Sequence, residues 1–351
     1  MRAYSDIEIR DQAEIPTPMK QDAGTGKDTM EGRNTMKKIT IAALVLAILM
    51  MVAVPSLSIA EKSGRLVLYT SVPTTQLNLI TAAFTAKYPG IAVDIMYAQN
   101  EELMGRVLSE GVQAKGDVIL GGGLEAYEAI ANHLSAYESP NASAFLKNFK
   151  LQGAAYTPFQ VQVSAFVVNK ALARKLGVSV DGWASLLNQK LGGLIAYTDP
   201  GTDSRQAAFI NSFADKLALA NPSAPSFVLN SVSAGQSLVG IIGEEKALER
   251  VSGNADLGLV YASEGVAMGA SYAGILEGAS NEANARLFID FITSKEYQQQ
   301  ALEQLNQRSI RSDVNFDRDG IPSTGKLLMA DYKVLTLELI SNASASSAVN
   351  K

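Results

Sequence analysis

The sequence predicts an α/β protein built as two lobes joined by two crossing segments. Three observations carry this prediction. Short apolar runs alternate with helical periodicities from residue 65 onward, the pattern of a largely parallel sheet with helices on both faces. The chain beyond residue 60 is longer than one hydrophobic core usually holds. Two stretches, Tyr156 to Gln162 and Val260 to Val266, read as crossings between lobes, and a cleft between lobes is a common ligand site.

The elements follow in order. RLVLYT, ending at Thr70, is a short apolar run of the kind found in buried strands. From Thr74 to Tyr88, the spacing of Leu77, Ile80 and Phe84 predicts a helix, which Pro89-Gly90 stops. Ile91 to Tyr97 reads as a strand, and Glu101 to Glu110 as a helix with Leu103, Val107 and Leu108 inward. Asp117 to Leu120 is a strand running into Gly121-Gly122-Gly123, and Val161 to Asn169 is a strand beginning just after Pro158. A strand from Leu194 leads into TDPGTDS, and a helix from Ser204 carries Ile210, Phe213 and Leu217 on one stripe. Leu257 to Tyr261 and Ser271 to Leu276 read as strands. Helices are predicted over Asn281 to Thr293, Lys295 to Asn306 and, more weakly, Lys326 to Ser341, before a small, polar tail expected to fray.

Composition removes several function classes. The net charge of −5, without a long basic run, argues against a nucleic-acid partner. The absence of cysteine excludes disulfides, thiolate metal sites and cysteine nucleophiles. At the N-terminus, Lys37-Lys38, an uncharged stretch and Ser58-Ile59-Ala60 have the form of a secretory signal with cleavage after Ala60. An uncleaved anchor is the rival reading, because Ile39 to Ala60 is long enough to span a membrane. Residues 1–35 are polar and aperiodic, either a disordered extension or a start placed upstream of Met36. The expected organisation is therefore 36–60 as signal, 61–157 as the first part of lobe 1, 158–260 as lobe 2, and 261–351 as the return to lobe 1 with C-terminal helices.

In an open α/β sheet, ligands bind beyond the carboxyl ends of the strands. Those positions hold Thr70, Ser71 and Thr74, then Gly121-Gly122-Gly123, then Thr198 to Ser204, then Ser263 to Gly265. All are hydroxyl- or glycine-rich segments opening helices, where hydroxyls and backbone N–H groups can hold a polar or anionic solute. Plain N-capping explains each segment singly, but four at equivalent sheet positions suggest a shared purpose. Asp203 would repel a phosphate there, and reads as an N-cap or as the partner of an ammonium group. Enzyme motifs fail. Gly121-x-Gly123-x-x-Ala126 lacks the strand and acid a dinucleotide site needs, and GASYAG misses the nucleophile-elbow spacing. One histidine, His133, cannot build a triad or a histidine-rich zinc site. Neither a cofactor nor a resident metal is expected.

The segments LVLYTSVPTTQLNLITAAFTAKYPGIAVDIM, GDVILGGG, TDPGTDS, LVYASEG and EGASNEANARLFIDFITSKEYQQQ followed by QRSIRSDV carry a resemblance that spans nearly all of Arg65 to Val314. The chain resembles the periplasmic solute-binding proteins of ABC importers, in the branch that includes ferric-iron, thiamine, phosphonate and sugar-phosphate binders. The resemblance implies the type II periplasmic-binding-protein fold, two doubly wound lobes with a two-crossing hinge. It also implies no catalysis, a monomer, and partnership with an inner-membrane permease and its ATPase. Carried over by position, the ligand-facing residues are Ser71, Thr74, Gly122, Gly123, Phe159, Thr202, Asp203, Ser204 and Tyr261. Ferric binders of this branch commonly have adjacent tyrosines where only Tyr261 stands, and phosphate-type binders a Ser-Ser-Gly-like turn where Thr202-Asp203-Ser204 stands. A phosphonate or a phosphorylated organic compound is the expected solute. A ferric-iron binder and a periplasmic sensor module are the alternatives.

Overall fold

In a computed structural model, residues 63–151, 153, 155–198, 223–316 and 319–330 are described, all within the compact unit Ala60–Lys351. The signal segment, the helix from Ser204 and residues Thr202, Asp203 and Ser204 lie outside the described residues.

Strands β1 (Ser63–Thr70), β2 (Gly90–Tyr97), β3 (Val118–Leu120), β4 (Leu134–Ser135), β5 (Tyr156–Asn169), β6 (Ile195–Tyr197), β7 (Val239–Gly243), β8 (Leu257–Val260) and β9 (Met268–Leu276) join in one sheet. Its order is β2-β1-β3-β9-β5-β7-β6, with β4 on β9 and β8 on β5. The helices are α1 (Thr74–Lys87), α2 (Asn100–Glu110), α3 (Leu124–Ile130), α4 (Lys170–Leu176), α5 (Pro225–Ser233), α6 (Glu244–Val251), α7 (Glu282–Ile292) and α8 (Lys295–Leu305).

The sheet is mixed rather than largely parallel. Pairing is parallel for β1 with β2, β1 with β3, and β6 with β7. It is antiparallel wherever β5 or β9 takes part. The physical reason lies in the route of the chain. β5 runs from one part of the sheet into the other and β9 returns alongside it, and neighbouring strands that go out and come back must be antiparallel. The N-terminal half of β5 pairs with β9, from Tyr156 opposite Gly274 to Val163 opposite Met268. Its C-terminal half pairs with β7 and β8. β5 thus begins before Pro158 rather than after it. The sheet admits the proline where the register shifts between Pro158 and Gln160, an irregularity of the kind that tolerates a missing N–H.

Helix α1 buries Gln76, Leu77, Ile80 and Phe84, the predicted apolar stripe plus one glutamine. The Phe84 ring meets Phe288 and Phe291 edge-on at 5.2 and 5.3 Å, joining α1 to α7 in a core shared with Leu68, Val118 and Phe159. Leu108, expected inward, is 51% exposed, because α2 covers the sheet only through Leu103, Met104 and Val107. A separate core under β6 and β7 centres on Trp183, whose indole stacks edge-on against Phe166 at 4.9 Å. The described start of the last expected helix, 326–330, is not α-helical.

Candidate functional site

Where β5 passes between the two parts of the sheet, the fold leaves a cavity of about 210 Å³. One wall is the start of α1, with Pro73, Thr75 and Gln76. The opposite wall is the end of β7 and the start of α6, with Gly243, Glu245 and Lys246. Gln160 and Gln162 of β5 lie between, and Gln307, just past α8, closes one side. Thr198, just past β6, lines the same space.

Three buried glutamines form a directional chain here. Gln160 Nε2 donates to Glu245 Oε1 at 3.0 Å. Gln76 Nε2 donates to Gln160 Oε1 at 2.9 Å and to Gln307 Oε1 at 3.0 Å. Gln307 is only 2% exposed, and its Nε2 has no hydrogen-bond partner among the described residues. A buried N–H without an acceptor costs about 1–3 kcal/mol, so its persistence requires an account. Gln307 reaches this place because Asn306 ends α8 in the left-handed conformation (φ 56°), turning the chain back across β5. The Val161 N–H then donates to the Arg308 carbonyl at 3.1 Å.

Beneath the cavity lies a buried ion pair. Arg308 holds Glu244 through two nitrogens, Nε to Oε2 at 2.6 Å and Nη2 to Oε1 at 2.7 Å, and both side chains are 1% exposed. The guanidinium sits 4.9 Å from the centre of the Phe316 ring and donates to Thr324 Oγ1. The Tyr261 hydroxyl donates to the same Glu244 carboxylate. Burial first, and then the Glu244 charge, push the Tyr261 phenol far above its ordinary pKa. Its oxygen is therefore held as a neutral donor, not presented as a phenolate.

The other positions read from the sequence fall as follows. Thr74 is exposed in the first turn of α1, between lining residues Pro73 and Thr75 but not itself lining the cavity. Ser71 is half-buried against Gly121, where an added Cβ would lie 2.7 Å from the Ser71 hydroxyl. Gly122 has φ 91°, and an added Cβ would fall 2.4 Å from Asn100 Oδ1. Glycine is thus required here both by conformation and by the close approach of Asn100. Gly123 precedes α3 as its N-cap residue. Ser71, Gly122 and Gly123 are not among the residues that line the cavity. Phe159 requires a correction. Its side chain has no exposed surface and packs in the core with Phe84 and Leu68, and its carbonyl accepts from Gln298 Nε2 at 2.6 Å. Alternation along β5 turns Phe159 inward and Gln160 toward the cavity.

Sequence reasoning missed Gln76, Gln160, Gln307 and Glu245. The only signal was a glutamine in the first turn of α1 and another opening QRSIRS, which means little until the fold joins positions 231 residues apart. Among the described residues no group of three or more histidine or acidic side chains is placed to hold a metal ion. Among them also, no helix is long and apolar enough to cross a membrane.

A mixed sheet whose two parts are spanned by β5, with a cavity at the crossing, has the two-lobed fold of the type II periplasmic binding proteins. The chain belongs to the bacterial extracellular solute-binding protein family, whose profile matches residues 71–299. That family consists of solute binders, not enzymes. An uncharacterized protein of Haemophilus influenzae is 26% identical over 301 residues, 78% of this chain and 86% of that protein. The fold is similar to that of the periplasmic binding protein AfuA from Actinobacillus pleuropneumoniae, solved with fructose-6-phosphate (TM-score 0.63, 23% identity, 77% of this chain and 92% of that one). It is similar also to iron-bound HitA from Pseudomonas aeruginosa (TM-score 0.64, 16% identity, 79% and 98%).

Proposed function

We propose that this protein is the exported solute-binding component of an ABC importer, carrying a small polar solute to an inner-membrane permease and its ATPase. In this reading residues 36–60 are a signal removed after Ala60, and the mature chain works in the periplasm. Lobe 1 (61–157 and 261–351) and lobe 2 (158–260) close on the solute, which stabilises the closed state by its differential affinity. The observation that carries the reading is the cavity at β5, which draws its walls from the start of α1, the start of α6 and the crossing strand itself. The Thr75 hydroxyl, several amides and Lys246, paired with Glu249 at 2.8 Å beside the Glu245 carboxylate, suit a phosphonate or phosphorylated organic compound, an aminophosphonate best, since the carboxylates can hold its ammonium group. Ser71, Thr74, Gly122, Gly123, Thr202, Asp203 and Ser204 remain the proposed loop contacts. Iron capture is the weaker reading, because the Tyr261 oxygen is committed to Glu244.

A thermal-shift screen of residues 61–351 tests this. Ferric citrate, 2-aminoethylphosphonate, fructose 6-phosphate, thiamine and spermidine form the panel. A specific solute raises Tm by mass action, by about 2.7 kcal/mol of stability at a hundredfold excess over Kd. A rise with the phosphonate or the sugar phosphate is the expected outcome. A rise with ferric ion alone would overturn the solute class.

A further inference from the structure

The glutamine chain has a fixed polarity. An ionised carboxylate can only accept, so Glu245 compels Gln160 to present Nε2 to it, at 3.0 Å. Gln160 Oε1 must then face Gln76, which answers with Nε2 at 2.9 Å. The second hydrogen of that amide goes to Gln307 Oε1 at 3.0 Å. The Gln307 Nε2 is left as the terminal donor, buried and without an acceptor among the described residues, on a side chain that lines the cavity. Its orientation is set at the far side of the cavity, by a residue of α6.

We infer that Gln307 Nε2 is the donor that takes an acceptor oxygen of the solute, with Glu245, Gln160 and Gln76 as positioning residues that hold it in the donating orientation. The inference rests on the solute-binding reading above and deepens it. It requires a solute with an exposed carbonyl, carboxylate or phosphoryl oxygen, and it disfavours a polyamine or a bare metal ion, which offers no acceptor. The same relay ties both cavity walls to β5, so the donor is aimed only when α6 is in place. Gln307 therefore reports the arrangement of α6 to the solute.

The test uses wild-type protein and the variants Gln307→Met, Gln307→Glu and Glu245→Gln, all over residues 61–351. Native mass spectrometry after equilibration with a bacterial metabolite extract identifies the bound compound. Titration calorimetry then measures it beside fructose 6-phosphate, 2-aminoethylphosphonate and spermidine. Gln307→Met keeps length and volume but has no donor, and should weaken an oxygen-bearing solute about tenfold to a hundredfold. Gln307→Glu still accepts from Gln76 but turns an acceptor toward the solute, and should weaken it further. Glu245→Gln frees the relay to flip and should give a smaller loss. Circular dichroism and Tm exclude misfolding, and the spread between Met and Glu at one position separates a donor role from a packing role. Equal affinity in wild type and Gln307→Met overturns the inference, assigns Nε2 to trapped water and leaves solute binding standing. Tight binding of spermidine alone also overturns it. If nothing is retained from the extract and no panel compound binds, the solute-binding reading falls and the inference with it.

Discussion

Arg308 and Glu244 show how much one residue can decide. Both are 1% exposed, so neither charge is rescued by water if its partner is lost. Replacing Arg308 by Met should cost about 3–5 kcal/mol, mostly because the Glu244 carboxylate stays buried and uncompensated. The double variant Arg308→Met with Glu244→Gln should recover most of that loss, since a neutral amide still accepts from Tyr261 and carries no charge to strand. Urea denaturation of the two variants measures the difference. Equal losses would mean that the pair stabilises through its own attraction and not through avoidance of a lone charge. Sequence reading did not anticipate this pair. An arginine in QRSIRSDV and a glutamate in GEEKALER look like ordinary surface charges until β5, bridged to one segment and paired with the other, brings them together. Gly122 was read as ligand-facing, whereas the structure shows a glycine needed for its positive φ and for the close approach of Asn100.

Among elements, β5 carries most of the architecture, and its start was misplaced. The alternation of VQVSAFVVN was visible, but Pro158 marked the wrong boundary, since the strand admits it at a shift in register. β7, VGIIG, escaped notice because a short apolar run with two glycines has no periodicity of its own. α1 was legible because its apolar stripe is local and its proline–glycine stop is unambiguous. The reassignment of Phe159 from the site to the core makes a prediction about this strand. Phe159→Ala should cost about 3–5 kcal/mol through lost burial and a cavity beside Phe84. The smaller change Phe159→Leu should lower stability modestly and leave the Kd of any bound solute within about twofold. Denaturant midpoints and titration calorimetry on the same preparations check both statements. A stable Phe159→Leu variant that lost its affinity would return Phe159 to the ligand.

At the scale of the whole molecule, buried phenols should set an alkaline limit. Tyr137, two residues past β4, is pushed up to about 12 by burial and then by its hydrogen bond to Asp290. Tyr272, on β9, is pushed up to about 12 by burial and then by neighbouring Tyr156. Tyr261 at the crossing is raised further still. Each folded pKa lies above the unfolded value near 10, so folding favours the neutral phenol. The contribution to stability is therefore complete below about pH 10 and declines as pH rises through about 12. Absorbance at 295 nm during an alkaline titration should show a late set of tyrosines ionising together with loss of the near-ultraviolet circular dichroism. Tyr137→Phe should remove one member of that set. The same property bears on iron, because a phenol held neutral by burial and by Glu244 must lose its proton before it can bind a ferric ion. Ferric ion added to the protein at neutral pH should then give no tyrosinate charge-transfer colour. A coloured complex that disappears in Tyr261→Phe would mean that metal binding outcompetes Glu244 for the Tyr261 oxygen, and the cavity would have to be read as an iron site.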